Sequence, residues 1–240
     1  MTSLKHILSI LLFITILVEN PMNGSAQRRR SSSSHSSSSF SYGPIAGFTV
    51  SNLTPEKSSN SSSMLGFIAG GFFEYKFTEN IGGQAEICFT QFGGEKIPST
   101  LLFNPSSPLL YDVKSIDLSL YGIDIPLTAK YHFTELTPEF YVALGVSGTY
   151  ILKAQAALNK TSSIGGLYST NTTYVDVTKK VQDMQGSVVV GCGTSLPLGE
   201  ISIKINLSFQ YGLTDLSANN VVTNNGFNSK ILKLGVGLGF

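Results

Sequence analysis

The chain has no tryptophan, only two cysteines and three histidines, and 13% of its 240 residues are charged. Soluble domains usually carry about 25% charged residues, so an ordinary water-facing surface is under-supplied. Cys88 and Cys192 fall on opposite faces of different strands, which argues against a disulfide, and neither has metal-ligand company. The net charge of +1 provides no basic field, so nucleic acid is not an expected partner. No G-x-S-x-G, H-E-x-x-H or glycine-rich phosphate loop in strand–helix context occurs, and Gly165-Gly166 precedes no helix. No cofactor is implied. The longest apolar run, Ile7 to Val18, spans twelve residues, short of the roughly twenty a membrane helix needs.

That run is an address. Lys5 and His6 precede it, and Gly24, Ser25 and Ala26 follow, so residues 1–26 read as a secretory signal peptide cleaved after Ala26. Residues 27–41 form an arginine- and serine-rich tract with nothing to bury, expected to be a disordered tether. His35 within it has no partner and is assigned no role.

What is abundant is alternation. From Ile201 every second residue is apolar (Ile203, Ile205, Leu207, Phe209, Tyr211, Leu213), and Leu232, Leu234, Val236, Leu238 and Phe240 repeat the pattern. Period two means a strand whose faces meet different surroundings. Eight such runs follow Tyr42: 42–53, 64–77, 81–92, 116–133, 140–153, 184–196, 201–213 and 232–240. In the fourth, apolar Ile116, Leu118 and Leu120 give way to apolar Ile123, Ile125 and Leu127. That change of phase predicts a bulge at Tyr121-Gly122, and Pro126 removes one ladder donor. Short connections alternate with long ones near 54–63, 93–115, 154–183 and 214–229, so all the long loops fall at one end.

Residues 42–240 therefore read as an all-β, eight-stranded antiparallel up-and-down barrel. The apolar face carries no charge, the other is rich in glycine, and aromatics gather toward both ends of the strands. These features favour a transmembrane barrel, apolar face to lipid, over a soluble one. The polar face then lines the interior, with Glu74, Glu86, Asp117 and Asp124 against Lys76, Lys130, Lys153, Lys204 and Lys233. In a narrow, poorly hydrated lumen these charges should pair.

Tyr42 to Phe240 resembles the PorT-like outer-membrane β-barrel family, through Ile123–Phe133 (IDIPLTAKYHF), the following FYVALGVSGTY strand and Phe209–Ser217 (FQYGLTDLS). The closing KLGVGLGF is similar to the assembly signal of outer-membrane barrels, with Lys233 polar, Gly235 the glycine, and Leu238 and Phe240 apolar or aromatic. The resemblance implies a Gram-negative outer membrane with its lipid and lipopolysaccharide and recognition by the barrel-assembly machinery, and the even strand number leaves both termini in the periplasm. Enzymes on such barrels need a histidine with serine or aspartate at the outer rim. His132 sits at the opposite end, so no catalytic residue is expected. The expected role is structural or accessory, with the long loops, chiefly Ala154 to Asp183, available to a protein or surface ligand. The alternative is a small porin, or a transport or secretion component, with a narrow conducting lumen.

Overall fold

The computed structural model describes residues 40–55, 61–97, 113–133, 138–164, 167–216 and 227–240. The signal segment and residues 27–39 of the tether lie outside the described residues, while Phe40 and Ser41 already belong to the first strand.

The strands in chain order are β1 (Phe40–Pro55), β2 (Ser62–Lys76), β3 (Ile81–Ile97), β4 (Val113–Phe133), β5 (Glu139–Ile164), β6 (Leu167–Asp176), β7 (Met184–Leu198), β8 (Ile201–Gly212) and β9 (Phe227–Gly239). All neighbours are antiparallel, in the order β4-β3-β2-β1-β9-β8-β7-β5, and a β4–β5 ladder closes the ring. Eight strands thus make the barrel. The ninth, β6, pairs with the upper part of β5 alone among the described strands, so much of the expected 154–183 loop is a hairpin. A 3-10 turn, Thr178–Lys180, then leads back toward β7. At the other end β7 and β8 are joined by Gly199 and Glu200, where Gly199 takes φ +72°, a conformation open to glycine at no steric cost.

The apolar residues of the repeats face outward. Leu65 (67% exposed), Ile87 (64%), Leu144 (60%) and Leu234 (48%) belong to a continuous band. A band of this extent on a water-soluble molecule would be an aggregation surface; around a closed ring it is a lipid-facing belt. Along β9 and the residue after it the band runs from Leu232 to Phe240, nine residues, against the 9–11 that a tilted strand needs to cross a bilayer.

The phase change in β4 has a different cause from the one expected. Ile116, Leu118, Leu120, Gly122, Asp124, Lys130 and His132 are all buried on the inner face, so β4 keeps its parity throughout. The extra residue is on its partner. Tyr121 pairs with Lys153 and Gly122 with Ile151, leaving Leu152 unpaired as a bulge in β5. What changes along β4 is the surroundings. Below Tyr121 the wall is apolar outside and polar inside; above it, Asp117 and Ser119 are outside and leucines inside. The same inversion occurs in β9, where Phe227 and Ile231 turn inward above the outward-facing Leu232. The wall leaves lipid and enters water at this level.

Close approach explains one glycine in particular. A Cβ on Gly193 would collide with the Tyr141 hydroxyl folded across it from β5 and with the Ile205 carbonyl oxygen. Gly193→Ala is expected to lower the urea midpoint of the refolded barrel by an amount equivalent to about 1–3 kcal/mol. Gly148→Ala, at a position where a Cβ would meet nothing within 4 Å, is expected to leave it unchanged.

Candidate functional site

Inward-facing polar positions from six strands converge in the lipid-embedded half. Lys130 (β4) and Lys204 (β8) both donate to Glu74 Oε2 (β2), at 2.8 and 3.0 Å. Lys130 also bonds Gln84, which in turn bonds Glu86. One layer higher, Lys233 Nζ lies 2.5 Å from Asp124 Oδ2. Asp124 Oδ1 accepts from Ser147 (2.7 Å), Thr149 (2.6 Å) and Gln210 (3.2 Å). Glu74, Asp124, Lys130, Lys204 and Lys233 are all buried. Counted with Glu86, three carboxylates meet three ammoniums inside the wall. Each would cost several kcal/mol if stranded there, which accounts for their convergence.

Two of the expected lumen residues are elsewhere, and a third, Lys76, faces inward only at the rim. Lys76 is at the short-turn mouth, 2.6 Å from Glu139 Oε1. Lys153 is exposed on the outer face, because the bulge at Leu152 turns it out of register. Asp117 also lies outside, above the polarity inversion, accepting from Asn159 Nδ2 (2.8 Å) and the Lys96 amide (2.9 Å). Of the expected assembly-signal residues, Lys233 and Gly235 point inward, Leu238 and Phe240 outward. The cysteines are unpaired, Cys88 inside and Cys192 on the lipid face.

Sequence reasoning missed the mouth cluster around Glu139, a residue hidden in what reads as a turn. Its Oε1 lies 2.7 Å from His132 Nδ1, and His132 Nε2 lies 3.5 Å from Glu74 Oε1. Lys76, Glu139, His132, Glu74, Lys130 and Lys204 thus stand in one continuous row of polar groups. The Lys130 ammonium also sits 4.0 Å from the centroid of the Tyr141 ring.

Above the charge layer the interior is mostly apolar, with Ser51, Gln185 and Ser229 buried among the apolar side chains. Phe92, Ile116, Leu118, Leu120, Ile151, Ala154, Leu158 and Phe227 fill it, each 3% exposed or less. Val177 and Val181, on either side of the 3-10 turn, and Leu216 cover it from above. The cover is pinned by backbone bonds: Val177 N to Ala154 O (3.0 Å), Gln182 N to Leu216 O (2.9 Å) and Leu216 N to Phe227 O (3.1 Å). Beside it, two hydrogen bonds from Thr178, side chain and amide, hold the exposed Asp176 carboxyl below the usual carboxylate range.

Fold and interior together define a small transmembrane β-barrel with a filled lumen. The chain belongs to the family described as outer membrane protein beta-barrel domain, which matches residues 25–218. Among curated proteins none matches. Solved structures similar to it include Ail, the attachment invasion locus protein of Yersinia pestis, in complex with the heparin analogue sucrose octasulfate. That pair is 16% identical, covering 84% of this chain and 99% of that one, at a TM-score of 0.41. Neisserial surface protein A is 17% identical over 85% and 98% of the two chains, TM-score 0.44. OprG from Pseudomonas aeruginosa is 14% identical over 84% and 95%, TM-score 0.45.

Proposed function

We propose that this chain is a closed, non-enzymatic barrel of the Gram-negative outer membrane with a structural or accessory role, binding its partner through the long-loop end. The observation that carries this reading is the double block of the lumen, by paired charges in the lower half and close-packed apolar side chains in the upper. A conducting path would need water through both layers, at the expense of the ion pairs below and the apolar packing above. A narrow pore is therefore the weaker reading.

The same proposal carries the finer expectations. The wall that rises furthest from the lipid belt is built by β3 to β6, and Tyr174 of the hairpin is 72% exposed, so this end suits a protein or surface ligand. Tyr42 and Phe240 lie together at the opposite end, joined by backbone bonds of 3.3 and 2.9 Å, which supports periplasmic termini. The PorT-like subtype, the signal peptide, contact with lipopolysaccharide and recognition of the last strand by the assembly machinery belong to this reading as well.

Orientation is testable in cells. In a Cys192→Ser background, Tyr174→Cys is expected to react with a membrane-impermeant maleimide as fully on intact cells as after lysis. Labelling only after lysis would place the hairpin in the periplasm and overturn the proposal.

A further inference from the structure

The strand β6 is the outermost member of the sheet that rises above the lipid belt. Behind it, the upper part of β5 is paired on its other side with β4, from Val113 to Tyr121. We propose that the open edge of β6 is a docking site for an extended segment of another polypeptide, added to the sheet as one more strand. This rests on the reading that the long-loop end binds a partner and names that partner's chemistry.

The β5–β6 register runs without a shift from Gln155 opposite Asp176 to Ile164 opposite Leu167. The Val177 amide continues it, donating to the Ala154 carbonyl at 3.0 Å. In an antiparallel ladder, alternate residues turn both amide and carbonyl toward the partner strand. Counted back from Val177, the residues facing β5 are therefore Val175, Thr173 and Asn171. Tyr174, Thr172 and Thr170 turn their backbone groups away from it, and among the described strands none takes them up. The side chains from Asn171 to Tyr174 are all exposed.

Open edges are ordinarily blunted by lysine, proline, a bulge or a covering segment. Leu167 to Val175 contains no charged residue, no proline and no glycine, and its ladder has no bulge. Its threonines, tyrosines and valine favour the extended backbone. The edge is also fixed before anything binds. A ladder flanks β5 on each side, and at the foot of the hairpin the Ala154 amide donates to Thr178 Oγ1 at 3.0 Å. A preformed edge spares a partner much of the ordering cost.

Spacing selects the occupant. The outward amides and carbonyls recur every second residue, about 6.8 Å apart, which is the repeat of another extended backbone. A second copy in the same membrane does not fit. Its β6 would run the same way, and a twofold axis along the membrane normal sets each residue against its own equivalent, amide against amide. A parallel ladder needs a one-residue offset that this symmetry forbids.

The test follows amide hydrogen exchange in the refolded mature chain in micelles. The probe is a blocked octapeptide of alternating threonine and valine with a lysine at each end. In the free protein the Thr170, Thr172 and Tyr174 amides are expected to exchange fast, and those of Asn171, Thr173 and Val175 slowly. With a dissociation constant on the order of 1 mM, about 5 mM peptide should slow the fast set about sixfold. The same peptide N-methylated at every residue has no backbone donor and is expected to change nothing.

Thr172→Pro removes an outward amide without touching a donor to β5. It is expected to abolish the slowing while Thr173 and Val175 stay slow. Thr172→Val also loses the side-chain bond to Asn159 Oδ1 but keeps the backbone, and should keep the slowing. Outward amides already slow in the monomer would mean that the edge is covered, and a dimer protected there that a second copy fills it. Either overturns the proposal, as would equal slowing by the N-methylated peptide or none by the unmodified one. The measurement uses purified barrel, so it is independent of the hairpin's orientation in cells, which the Tyr174→Cys labelling decides.

Discussion

Asp124→Ala is expected to destabilise the refolded barrel by about 3–5 kcal/mol, read as a fall in its urea midpoint in micelles. The substitution strands the Lys233 ammonium and removes the acceptor of Ser147, Thr149 and Gln210, all four of them buried. If a stranded charge is the cause, replacing both partners should hurt less than replacing one. Asp124→Leu combined with Lys233→Leu is accordingly expected to recover most of the loss. Equal loss in the single and double variants would mean that packing volume, and not charge pairing, holds this layer.

The second large effect concerns the upper layer. Phe92 is fully buried, among Leu53, Leu118 and Leu120. Phe92→Ala is expected to cost about 3–5 kcal/mol through lost transfer energy and the cavity left behind. The variant should still run as a heat-modifiable barrel and remain electrically silent, because the charge layer below is untouched. An unchanged midpoint would mean that the upper half contributes nothing to stability and behaves as a loose assembly of loops.

Closure, antiparallel order and the lipid-facing side were legible because one simple period repeats eight times. The clean runs in β8 and β9 leave little freedom of register, since a slip by one residue turns a leucine inward and a lysine into lipid. Above the lipid the same logic misleads. The code of inside and outside reverses where the wall meets water, and a reversal in one strand has the sequence signature of a bulge. Ile116, Leu118 and Leu120 thus look like a phase error in β4, although they continue its inner face. By the same rule Asp117 falls on the inner face in the sequence pattern, and Lys153 does so because the extra residue at Leu152 carries no sequence signal. Pairing partners were legible only as a set: Glu74, Asp124, Lys130, Lys204 and Lys233 share the polar face, but which carboxylate takes which ammonium depends on strand stagger. Glu139 was out of reach, since a single acid beside a turn carries no period.

The lumen is closed at two levels. Single-channel recording of the refolded mature protein in planar bilayers, after heat-modifiable migration has established folding, tests it most directly. Well-folded protein is expected to give no steady conductance, and Lys204→Glu or Lys233→Glu should lower stability without producing current. Steady channels in the wild type, with a conductance altered by either substitution, would contradict the account and make the charged interior a conducting path.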